Sequence, residues 1–135
     1  MKALFDTNVA FDIVGKREPF VKASEEAYFH AIETDDKPFL PAHAYATLFY
    51  LLGAAATRKK RQAAMDWVFD SFFVAAIGET EIAAARSYGM PDFEDAMVAA
   101  AAVSAGCDVI VTRNAGHFTG SPVPAESPEE FVAER

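Results

Sequence analysis

Leu4-Phe5-Asp6-Thr7-Asn8-Val9 stands near the start of the chain, and Val109-Ile110-Val111-Thr112-Arg113-Asn114 comes late in it. Both follow one plan: a short apolar run that stops at polar residues. Such runs, bounded by turn-forming residues, read as strands buried on both faces. In open α/β sheets, ligand sites form beyond the carboxyl ends of the strands. If the first strand is central, the two strands are neighbours. Asp6 then meets Thr112, Arg113 and Asn114 at one edge of the sheet.

Outward from these two stretches, apolar runs alternate with helical periodicity. Residues 9–14 start a helix and 15–19 break it. Residues 20–32 have helical spacing, with Phe20, Ala23, Ala27 and either Tyr28 or Ala31 on one face. Asp35-Asp36-Lys37 reads as a turn. Phe39-Leu40 is a second strand, stopped by Pro41. Helices follow over 43–52, with Ala44, Leu48, Leu51 and Leu52 inward, and over 58–70, with Ala64, Trp67 and Val68 inward. Residues 72–77 are strand-like. Residues 80–88 form an amphipathic helix for which Thr80 is the expected cap. Asp92 opens an apolar helix over 93–105 that ends at Gly106. A polar loop spans 112–120, Val123 is a candidate last strand, and Ser127-Pro128-Glu129-Glu130 carries the signature of a helix start. Strands alternating with helices predict an α/β fold, with helices on both faces of a short, mostly parallel sheet of four to five strands.

At 135 residues, one domain over 1–135 is expected. The 52% hydrophobic content fits a packed core rather than a disordered chain. The formal net charge of -8 argues against gripping nucleic acid by bulk charge, though not against local basic contacts. The single cysteine, Cys107, excludes an intrachain disulfide. Asp6 comes too early for a signal peptide. The longest uncharged run, 38–57, contains Pro38, Pro41, His43, Thr47 and Gly53, which argues against a membrane span. A cytoplasmic location is therefore expected.

The candidate site residues each have an ordinary explanation as well as a functional one. Asp6 suits a strand-to-helix cap, yet its apolar approach leaves a carboxylate at a crowded sheet edge. Asp92, Glu94 and Asp95 favour a helix N-terminus, yet three acids in four residues repel one another, and a hard divalent cation relieves that. Asn114 suits a left-handed turn, and Arg113 suits a surface charge. His30, His43 and His117 show no metal-ligand spacing. Arg58, Lys59, Lys60 and Arg61 form the one dense basic cluster, a solvated helix start or a phosphate-contacting patch.

Together these residues resemble the PIN domain, the fold of many metal-dependent ribonucleases, and in particular the VapC-like toxins of toxin–antitoxin pairs. Leu4 through Val9 resembles the opening strand-Asp-Thr-Asn motif. The run from Asp92 to Ala102 resembles the acidic helix start. Val109 through Phe118 resembles the late strand and loop, and Ser127-Pro128-Glu129-Glu130-Phe131 resembles the usual ending. The resemblance implies Mg²⁺ or Mn²⁺ held by Asp6 and Asp95, with Asp92 or Glu94 assisting and Asn114 and Thr7 supporting. It also implies RNA hydrolysis by a metal-activated water and a small antitoxin partner. A homodimer is the default symmetry. RNA contacts are expected from Arg113 and from the basic cluster.

Two positions depart from the pattern. Thr47 stands where a second acid usually lies, and no acid occurs anywhere from Lys37 to Asp66. His117 stands where a late acid usually lies. These departures motivate an alternative, a catalytically impaired PIN-like module that binds RNA or a protein partner. A phosphatase of the haloacid-dehalogenase kind needs a second Asp two residues after the first, where this chain has Asn8.

Overall fold

The computed structural model describes residues 1–34, 37–54 and 56–134. Its centre is β1 (Ala3–Phe5), flanked by β2 (Phe39–Pro41) and β4 (Val109–Val111), with β3 (Phe73–Ala75) and β5 (Ala125–Glu126) at the edges. The order is β3-β2-β1-β4-β5, and every pairing is parallel. The helices are α1 (Thr7–Val14), α2 (Val21–Thr34), α3 (Ala42–Gly53), α4 (Arg58–Ser71), α5 (Glu79–Ser87), α6 (Phe93–Ala105) and α7 (Pro128–Ala133).

The two-residue alternation of the strands divides the core between two faces. Phe5, Val109 and Val111 join α1, α2, α3, α4 and α7 through Val9, Tyr28, Leu48, Val68 and Phe131. Leu4 and Ile110 face the other way, onto Val98, Ala99 and Ala102 of α6. The result is three layers, helix–sheet–helix. The alanines of α6 have little bulk, so this helix lies close against the sheet. Gly106 ends α6 with φ +74° and donates its N–H back to the Ala102 and Val103 carbonyls, a left-handed cap that glycine adopts without steric cost.

The register decides where the site forms. Ala3 pairs with Val109 and Phe5 with Val111, so Asp6 and Thr112 leave the sheet side by side. Since α6 returns to a parallel strand, its N-terminus arrives at this same edge.

Several local expectations shift. Val21 and Ser24 fill the inner face of α2, while Phe20 is exposed before the helix begins and Ala23 is half-buried. Leu51, Ala64 and Trp67 are half-buried rather than fully inward. Gly78, not Thr80, occupies the cap of α5; its N–H donates to Glu81 Oε1 at 2.7 Å, which replaces the missing side-chain cap. Val123 is buried but precedes the last strand, which forms at Ala125–Glu126. A short 3₁₀ turn (Ala115–Phe118) interrupts the polar loop. Of the expected turn, Asp35 and Asp36 lie outside the described residues. No helix among the described residues is long and apolar enough to cross a membrane.

Candidate functional site

Asp6 is only 7% exposed. Its Oδ1 accepts the Thr7 N–H at 2.8 Å, and its Oδ2 accepts the Thr112 hydroxyl, also at 2.8 Å. The cap and the site are therefore the same carboxylate. Burial pushes its pKa above the ordinary value; the hydrogen bonds from Thr112 and Thr7 oppose this, Glu94 adds to it and His43 opposes it. Thr112 is fully buried and also accepts the Asn114 N–H at 3.1 Å, tying the loop after β4 to Asp6.

Asp95 faces the same space from the first turn of α6. Its pKa is pushed up to about 6, first by burial, then by the charges of Asp92 and Asp6, with Glu94 adding a little and His117 opposing. Asp92 caps the helix by accepting the Asp95 N–H at 3.1 Å. Asp92, Asp95 and His117 share the wall of an open cleft of about 460 Å³ with Pro91, Gly116 and Thr119. Asn114 is exposed with φ -119°, so it is not a left-handed turn residue; its carbonyl accepts the His117 N–H at 2.9 Å.

The Thr47 hydroxyl donates to the His43 carbonyl one turn back in α3, at 3.2 Å. His43, unremarkable in the sequence, lies close enough to Asp6 to lower its pKa, and both ring nitrogens are buried without a partner. Its position directly after β2, the neighbour of β1, was the available signal. Thr7 Oγ1 and Asn8 Oδ1 are likewise buried and unpartnered.

Arg113 is engaged inside the protein. Its Nε donates to Asp12 Oδ2 at 2.7 Å, and its guanidinium lies 4.0 Å from the Phe20 ring centroid. The sequence placed this charge on RNA; the structure pairs it with a carboxylate of α1. The basic cluster opens α4, with Arg58, Lys59 and Lys60 exposed, and it shares no residue with the acidic mouth.

The model of the PIN domain family matches residues 2–116. The chain belongs to the PIN-domain family. No curated protein matches it. Among solved structures, a toxin–antitoxin complex from Klebsiella pneumoniae is similar at 19% identity and a TM-score of 0.73, covering 96% of this chain and 99% of that one. VapBC2 from Rickettsia felis, bound to a DNA fragment from its promoter, is similar at 13% identity and 0.71, covering 94% and 98%. PAE2754 from Pyrobaculum aerophilum is similar at 17% identity and 0.64, covering 99% and 94%. At these identities the shared property is the fold.

PIN chemistry, as the resemblance implies it, asks for a divalent cation. Asp6 and Asp95 are oxygen donors suited to a hard ion, and their raised pKa values are what an ion between them would relieve. Yet among the described residues no group of three or more His, Cys, Asp or Glu could hold a metal. Asp6 and Asp95 by themselves do not make an all-protein cage for such an ion.

Proposed function

We propose that this chain is a toxin-type PIN-domain protein that acts by binding RNA and a small protein partner, with an impaired hydrolytic centre. The missing third donor carries this reading: among the described residues no third ligand joins Asp6 and Asp95 in a group that could hold a metal, and the Thr47 hydroxyl is bonded to its own helix. A protein partner is supported by the similar structures solved as toxin–antitoxin complexes. A cytoplasmic homodimer completes the proposal. The test combines Mn²⁺ titration by calorimetry with an RNA cleavage assay. The expected result is no heat of binding below millimolar Mn²⁺ and no cleavage above background. Mn²⁺-dependent cleavage that disappears in Asp6→Asn would overturn it.

One observation favours a second reading, a metal-dependent endoribonuclease toxin. Asp6 and Asp95 are partly desolvated carboxylates at one mouth, and among the described residues no Lys or Arg forms an ion pair with either. Here Mg²⁺ or Mn²⁺, held by Asp6 and Asp95 with Glu94 beside them, would polarise a phosphate and acidify a water. The chain's own part is positional. Thr112 fixes the orientation of Asp6, Asp92 anchors the turn that carries Asp95, and Asn114 holds the loop bearing His117.

A further inference from the structure

We propose that the cleft between α3 and α4 is a binding site for single-stranded RNA, with bases stacking on Phe49 and Phe69 and phosphates paired by Arg58, Lys59, Lys60 and Arg61. This rests on the RNA-binding half of the function proposed above and assigns it to a surface that the acidic mouth does not share.

The cleft holds about 500 Å³, within the ~300–1,000 Å³ typical of ligand sites. Phe49 and Phe69 line it and are half-exposed, at 50% and 56%. Tyr45 stacks on Phe69, with centroids 6.1 Å apart and planes 12° from parallel, so that ring is braced. The Arg61 guanidinium sits 4.1 Å from the Phe49 centroid. It lies across Gly53, where a Cβ would collide with Nη1. Gln62 and Asp66, on the same wall, offer an amide and a carboxylate to base edges.

The cations themselves argue for an external anion. Three of them occupy the first turn of α4, the positive end of its dipole, where acids are favoured. Among the described residues no carboxylate lies within 4.0 Å of any of the four. Cations at this end of a helix, unpaired with any carboxylate among the described residues, leave charge for an external anion to answer. Phosphates answer the charge and unpaired bases answer the rings, which is the alternation of a single strand. A duplex keeps its bases stacked inside and has nothing for Phe49 and Phe69.

The test is fluorescence anisotropy of the full chain with a labelled single-stranded 12-nucleotide RNA and a matched duplex, in chelator so that no metal bridges RNA to the mouth. Single-strand binding should weaken with salt at a log–log slope of about -3, as four phosphate contacts require. Phe49→Ala and Phe69→Ala should each cost on the order of tenfold in affinity, and Lys59→Gln with Lys60→Gln should flatten the slope by about 1.4. Gly53→Ala improves helix propensity while displacing Arg61 from Phe49, so a weaker complex with unchanged circular dichroism supports the site without a folding defect. Equal affinity for duplex, or full affinity in both phenylalanine variants, overturns the site but leaves RNA binding in place. Self-association that Phe69→Ala abolishes, with RNA affinity unchanged, makes the cleft a protein interface instead. No RNA binding by the wild type at low salt removes the functional reading itself.

Discussion

Asp6 and Asp12 are two buried carboxylates of the same helical segment, and the fold treats them in opposite ways. Asp12 is fully buried and compensated: Arg113 Nε approaches Oδ2 at 2.7 Å, Arg17 Nη1 lies 3.9 Å from Oδ1, and the Ser24 hydroxyl reaches Oδ2 at 3.5 Å. Asp6 receives a hydroxyl and an N–H but no cation, and it looks toward Glu94 and Asp95. A buried charge with its partner supplied belongs to the architecture. A buried charge left short of positive charge is strain that a ligand can relieve.

The largest expected effect comes from breaking the compensated side. Asp12→Ala strands the Arg113 guanidinium, half-buried against Phe20, and should cost about 3–5 kcal/mol in urea unfolding. Replacing both partners, Asp12→Leu with Arg113→Met, should recover most of that loss, because apolar groups of similar size need no pairing. If the double variant is as unstable as the single, the pair does more than neutralise itself.

A middling effect is expected where the two sides connect. Thr112→Val removes the hydroxyl on Asp6 Oδ2 without changing shape, and should cost about 1–3 kcal/mol near neutral pH. The loss should shrink in acid, where Asp6 is protonated and needs that donor less. A pH-independent loss would mean that Thr112 acts through packing and its bond from the Asn114 N–H, not through Asp6.

The smallest effect tests the uncompensated side by pH. A carboxyl whose folded pKa is raised binds more protons folded than unfolded between its unfolded value of about 4 and its folded value of about 6. Its protonation therefore favours the fold below that window, and the contribution is lost as pH rises through 6. Without metal, Asp95→Asn should melt above wild type at pH 7.5, and the gap should close by pH 4.5. A gap that stays constant across that range would mean Asp95 is not strained by its neighbours.

Local physics made most of the fold readable. α6 falls at Phe93–Ala105, between its Asp92 cap and Gly106, because both ends are marked by residues with strong positional preferences. The capping box at Ser127 and Glu130 was legible for the same reason. Where preference is weak, the reading drifted. Thr80 is a good cap in isolation, but Glu81 bonding back to Gly78 starts α5 earlier. Phe20 looked like core because it is aromatic and in phase, yet the chain enters α2 one residue later, and Phe20 lies under Arg113 instead.

For the site, the sequence by itself determined the identities: an acid closing the first strand, acids opening α6, a polar loop after β4, and the absence of an acid at Thr47. Each follows from composition at a strand or helix end, which is local. Only the tertiary structure decided the pairings. The parallel register of β1 and β4 set Thr112 against Asp6, the turn before α2 brought Phe20 to Arg113, and the β2–β1 pairing carried His43 to the mouth. Arg113 and Asp12 lie 101 residues apart, and no local rule says which of several acids will neutralise a given arginine. Burial decides it: an unpaired charge inside costs more than any exposed alternative, so the fold chose which carboxylate to neutralise and which to leave open.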